Sequence, residues 1–112
     1  MPRRSDLYLK DILAAAAKAR AFTSGLDYAG FVADERTLLA VAKLLEIMGE
    51  AAARIPEEVR RDHPAVPWRS IADFRNRLVH QYWGMDAAII WDLLRNELPL
   101  LEREVSAILG SD

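Results

Sequence analysis

The sequence contains no cysteine, which excludes disulfide frameworks, thiolate nucleophiles and Cys-type zinc sites together. Its only imidazoles, His63 and His80, do not form an H-x-x-x-H pair, so a helical zinc site is not indicated. The five glycines are scattered and make no phosphate-cradling loop. No stretch approaches the roughly 20 apolar residues of a membrane span, and the N-terminal MPRRSDLYLK lacks the apolar run of a secretion signal. A cytoplasmic protein with no membrane partner is the expectation. A large basic excess is also missing: the net charge of −2 argues against a general nucleic-acid coat protein.

What is present fits one folded domain over residues 1–112: half of the residues are hydrophobic and 29% are charged. The charge follows a gradient. Residues 1–53 carry seven basic and seven acidic groups, residues 54–85 six and four, and residues 86–112 two and six. The positive excess in the middle third is compatible with an anionic ligand there.

The periodicity is helical throughout. Ser5 is a candidate N-cap for an Ala-rich helix running to about Thr23 and stopped by Gly25. SGLDYAGFVAD follows as a linker that packs partly on the surface through Tyr28 and Phe31. Asp34 can cap ERTLLAVAKLLEIMGEAAARI, in which Leu38, Val41, Ala42, Leu45, Met48 and Ala52 form one stripe. Leu39, Leu44 and Ile47 widen that stripe beyond one packing face, as contact with a second copy would require.

Pro56 ends this helix, PEEVRRD offers a short turn or two, and HPAVP is a proline-stiffened connector. Pro67 then opens PWRSIADFRNRLVHQY, which Gly84 interrupts. Asp86 can cap MDAAIIWDLLRNEL, with Pro99 kinking the helix or restarting it as PLLEREVSAIL. The chain reads as an all-α bundle of four or five helices. Arg60 and Arg61 read as a solvated turn, His63 as a loop histidine, and Trp68 and Trp91 as packing residues.

The polar chemistry concentrates in FRNRLVHQYWGMD, residues 74–86. On an ideal helix Asn76 and His80 share one stripe, while Arg75 and Tyr82 share a second, roughly 120° away. A two-fold axis beside the motif would gather two arginines and two histidines into one cleft. There a neutral imidazole can take the proton of a ribose 2′-hydroxyl while a guanidinium offsets charge building on the phosphate, and Asn76 can fix the ring's tautomer. That chemistry is metal-independent RNA cleavage, leaving a 2′,3′-cyclic phosphate and a 5′-hydroxyl. Spacing alone leaves the bland reading open: arginines that are solvated or paired with Asp73, and Tyr82 and Trp83 as core or interface aromatics.

Arg75-Asn76-x-x-x-His80-x-Tyr82 resembles the R-x-x-x-x-H-x-Y motif of the HepT-like proteins, a branch of the HEPN domains. FVADERTLLAVAKLLEIMGEAAARIP is similar to that family's second-helix block, VPW to its approach to the motif, and GMDAAIIWDLLRNELPLL to its closing helix. The resemblance implies a homodimeric helical bundle and a ribonuclease toxin of a type VII toxin-antitoxin system. It further implies a minimal nucleotidyltransferase antitoxin that transfers AMP to Tyr82. Arg75, Asn76 and His80 are then the catalytic set, and Tyr82 is the modified, substrate-positioning residue. Cleavage needs no cofactor on this reading, since ATP and magnesium belong to the antitoxin's reaction. Glu46 and Glu50 fall in the family's G-E-A block, where they support helix packing or a partner surface.

Two departures stand out: Asp73-Phe74 where small or aliphatic residues are common, and Gln81 in place of a frequent glycine. A different class of function fits the same residues, namely a non-catalytic HEPN subunit that holds nucleotide or nucleic acid for a nucleotidyltransferase. A helix-turn-helix DNA binder fits poorly, because PEEVRRDHPAVP is too long and stiff for its turn.

Overall fold

The computed structural model describes residues 4–74, 76 and 86–110. All regular structure among them is helical, in the order α1 (Arg4–Phe22), α2 (Tyr28–Ala33), α3 (Glu35–Ala53), α4 (Glu57–Asp62), α5 (Trp68–Ala72) and α6 (Ala87–Asp92). A π-helical turn (Leu93–Glu97) then joins α6 to α7 (Leu98–Gly110). The described residues thus form an all-α bundle, as expected. None of the described helices is long and apolar enough to cross a membrane.

The two 19-residue helices α1 and α3 form the frame and lie side by side. Leu9, Ile12, Ala16 and Ala19 bury one face of α1, at the i, i+3, i+7 and i+10 spacing that keeps side chains on one stripe. From α3 come Val41, Ala42, Leu45, Met48 and Ala52, all at most 1% exposed, while Leu38, the remaining member of the expected stripe, is partly buried against them. The many alanines let the helix axes approach closely, and each fully buried Leu or Ile contributes roughly 1.5–3 kcal/mol. Of the three residues that the widened stripe assigned to a further partner, Leu39 and Ile47 are exposed in the single chain, whereas Leu44 is buried in its own core and needs no second copy.

Ser5 is not the N-cap of α1, because the helix already includes Arg4 and Ser5 lies buried within it; the N-termini of α3 and α6 do follow their expected caps. Gly25, at φ +80°, lies in the turn that follows α1, closed by Leu26 N–H donating to Thr23 O at 3.0 Å, in the left-handed conformation that glycine adopts without strain. The Asp34 carboxylate accepts from the Thr37 backbone N–H at 3.2 Å and from the Thr37 hydroxyl at 2.7 Å, capping α3 as expected. These bonds, the hydroxyl's foremost, hold the Asp34 carboxyl below the ordinary aspartate range. Asp86 caps α6 by accepting from the N–H groups of Ala88 and Ile89.

The structure departs from sequence expectation at two connections as well. SGLDYAGFVAD is not a plain linker: it contains α2, whose N-cap Asp27 accepts from Gly30 N–H at 2.8 Å. Phe31 on α2 is fully buried, with its ring centroid 5.2 Å from that of Trp91, so it anchors the connection in the core. Tyr28 stays 44% exposed, as expected. Around Pro99 the α-helix does restart, at Leu98, but only after a π turn that the sequence did not announce. The π turn widens the backbone, Leu98 N–H reaching back to Leu93 O, and Pro99 falls in the first turn of α7, where a missing N–H costs little.

Candidate functional site

Of the motif residues, Arg75, His80 and Tyr82 lie outside the described residues. Asn76 lies within them, as do the segments that lead into and out of the motif. The structure therefore shows how the polypeptide is delivered to the motif and what surrounds Asn76.

Delivery is the task of α5. Five residues are too few for a stable helix in isolation, so its placement comes from contacts. Pro67 occupies the N-cap position, and Trp68 Nε1 donates to His63 O at 3.0 Å, locking the connector against the helix. Trp68, Ile71 and Phe74 recur every third residue and are all buried, which fixes the rotation of α5. Phe74, part of the Asp73-Phe74 departure from the family pattern, is thus a core residue at 1% exposure.

Two contacts fix the depth of α5. Gly49 of α3 lies so close behind it that a Cβ there would meet Ile71 O at 3.0 Å and Ala72 O at 3.4 Å. On another side Ser70 Oγ donates to the carboxylate of Glu97, in the π turn, at 3.0 Å. Both groups are part-buried, where such a bond is stronger than in water. Sequence reading passed over Gly49, Ser70 and Glu97. Gly49 did carry a signal, because a glycine inside an otherwise strong helix sequence marks a close backbone approach. Nothing local pairs Ser70 with Glu97, 27 residues away.

At the start of the motif, Asp73 takes the C-cap position of α5, and Asn76 N–H donates to Asp73 O at 3.0 Å. Asn76 Nδ2 also donates to Asp73 Oδ1 at 2.7 Å. Asp73, the other residue of that departure, therefore orients Asn76; Gln81, the second departure, and Arg77, one of the arginines that could pair with Asp73, lie outside the described residues. With Nδ2 engaged, the carboxamide oxygen is the atom of Asn76 left to accept a proton donor such as an imidazole N–H. In the G-E-A block, Glu46 is half-buried and Glu50 exposed, both on α3. Among the described residues, no group of three or more His, Asp or Glu is placed to hold a metal ion.

Comparison with known proteins agrees with this frame. The family description "Ribonuclease HepT-like" matches residues 12–108, from α1 through α7. A protein of Thermococcus cleftensis named as a probable ribonuclease HepT is 37% identical over 102 residues, covering 91% of this chain and 93% of its own. A candidate RNase of Methanocaldococcus jannaschii is 34% identical over 110 residues, 97% of this chain and 95% of its own. A further candidate RNase, from Caldanaerobacter subterraneus, is 40% identical over 88 residues, 79% of each chain. No solved structure matches significantly. Because the family match takes in the frame, the approach helix and the motif in one continuous span, the chain belongs to the HepT-like ribonuclease family of the HEPN superfamily.

Proposed function

We propose that this protein is a toxin whose activity is metal-independent endonucleolytic cleavage of RNA, at a cleft shared by two copies of the chain. The observation that carries this reading is the sequence Arg75-Asn76-x-x-x-His80-x-Tyr82, standing inside the span that matches a ribonuclease family.

In the reaction, neutral His80 removes the proton of a ribose 2′-hydroxyl and the 2′-oxygen attacks the adjacent phosphorus. The bond from phosphorus to the 5′-oxygen breaks, and that oxygen leaves with a proton taken from an imidazolium or from water. The products are a 2′,3′-cyclic phosphate and a 5′-hydroxyl. Arg75 offsets the charge that accumulates on the phosphate oxygens during attack. Asn76, its amide nitrogen held by Asp73, offers its oxygen to the imidazole N–H, leaving the other ring nitrogen as the base. No cofactor enters the step.

A nucleotidyltransferase antitoxin, using ATP and magnesium, restrains the toxin by transferring AMP to Tyr82. The added phosphodiester brings negative charge and bulk to a cleft that must admit RNA phosphate.

Inducible expression tests the reading. The wild type is expected to arrest growth, and His80→Ala to abolish arrest while dimers still form. Co-expression with the nucleotidyltransferase should restore growth and add the mass of one or more AMP groups, which Tyr82→Phe prevents. Harmless wild-type expression with retained nucleotide binding would instead indicate a non-catalytic HEPN subunit.

A further inference from the structure

On sequence Arg60 and Arg61 read as a solvated turn, and Arg69 attracts no notice. The fold brings the three together: α4 and α5 enclose an open groove of about 370 Å³ lined by Arg60, Arg61, Arg69, Glu57 and Trp68. Three guanidiniums against one carboxylate leave a formal charge of +2. Helix geometry sorts the charges of α4, since at 100° per residue Glu57, Arg60 and Arg61 fall within an arc of about 100°. Glu58 and Asp62 lie beyond that arc, on the side away from Arg60.

These cations are not consumed by the protein itself. Among the described residues neither Arg60 nor Arg69 has an acidic partner, and Arg60 Nε is a buried donor without an acceptor. Arg61 has Glu57 at 3.6 Å, but both side chains are more than two-thirds exposed, and such pairs are weak and easily exchanged. Arg20, by contrast, is held by Glu102 at 2.7 Å, and the cleft beside it lies at the C-terminal, carbonyl end of α1, which disfavours anions. The α4–α5 groove is also tethered near the motif, because Arg69 precedes Arg75 by six residues, at most about 21 Å of extended chain.

We infer that the groove between α4 and α5 binds the sugar-phosphate backbone of single-stranded RNA beside the scissile bond, through Arg60, Arg61 and Arg69. The inference rests on the ribonuclease reading for its substrate, but its test does not require cleavage. Trp68 is buried and held by His63 O, so it serves as a wall of the groove and not as a stacking platform. Contacts of this kind carry charge and register but no base preference.

The experiment measures binding of fluorescein-labelled single-stranded RNA to full-length His80→Ala protein as salt is varied. The same measurement is made with Arg60→Gln, Arg61→Gln and Arg69→Gln added together. Each lost phosphate contact lowers the slope of log affinity against log salt by about 0.7. The triple variant should therefore lose about 2 from that slope and bind on the order of tenfold more weakly in low salt, regardless of RNA sequence. Lys10→Gln, Lys18→Gln and Arg103→Gln together remove the same three charges at exposed positions that do not line the groove, and this charge-matched control should leave the slope unchanged and the affinity within about twofold. In the cleaving protein the same triple substitution should raise KM. An unchanged slope and affinity in a folded triple variant would overturn the inference, even if the wild type cleaves RNA. So would unchanged RNA binding accompanied by loss of a protein partner, which would assign the groove to protein docking. A wild type that binds RNA through the groove without cutting it would sink the ribonuclease reading alone.

Discussion

The α1–α3 frame and the α4–α5 approach are built from the same chain by opposite means. In the frame, two helices of 19 residues are specified by their own sequences: alanine-rich runs, a stop at Gly25, a cap at Asp34 and one apolar stripe on each. In the approach, two helices of six and five residues have little stability of their own, and named atoms outside them decide where they sit. Prolines stiffen the connector, Trp68 pins it to His63, Gly49 sets its depth and Glu97 ties it to the π turn. A robust frame thus carries a locally fragile segment, and the motif follows directly from that segment. Damage to the frame should unfold the protein, whereas damage to the approach should displace the motif and leave the frame standing.

The sharpest break in this contrast comes from the frame. Leu45→Ala empties a site that is fully buried and should cost about 2–5 kcal/mol, read as a lower midpoint in urea. Gly49→Ala should follow. The obstacle is a backbone carbonyl that no rotamer change can move, so overpacking should outweigh the roughly 1 kcal/mol that alanine gains in a helix. The net loss should be about 1 kcal/mol, with faster amide exchange in α5 than in α1, and a variant more stable than wild type would show that α3 does not set the depth of α5.

Ser70→Ala should cost about 0.5–1.5 kcal/mol by removing the bond to Glu97. Its amide-exchange effect should again be confined to α5 and the residues that follow. The smallest effect belongs to the cap of α3. Asp34 has its carboxyl depressed in the folded state, so its ionised form adds stability above the ordinary aspartate range, and that contribution vanishes as pH falls through the lowered value. Wild type should therefore exceed Asp34→Asn in stability near neutral pH, and the two should converge in acid; a gap that widened in acid would reverse the assigned shift.

The frame was legible in sequence because its signals are local: periodicity, caps and proline stops each act within a turn or two. Helix α2 was not, since six residues in a Gly-containing stretch carry no period, and the Asp27 cap becomes decisive only with Phe31 buried against Trp91. The π turn was equally hidden, because it answers a conflict at Pro99 that sequence states without resolving. For the site, the motif was legible as a spacing of residue types, while its supports were not. Ser70 meets Glu97 only through the tertiary fold, and Asp73, read as a departure, has a role that emerges only with Asn76 beside it.

The central claim is that the motif carried by this segment cuts RNA by internal transesterification. Its most direct test is end-group analysis of a defined single-stranded RNA incubated with purified protein in EDTA. The account predicts 2′,3′-cyclic phosphate and 5′-hydroxyl termini from the wild type and intact RNA from His80→Ala. Termini bearing a 3′-hydroxyl and a 5′-phosphate, or cleavage that His80→Ala leaves undiminished, would contradict it.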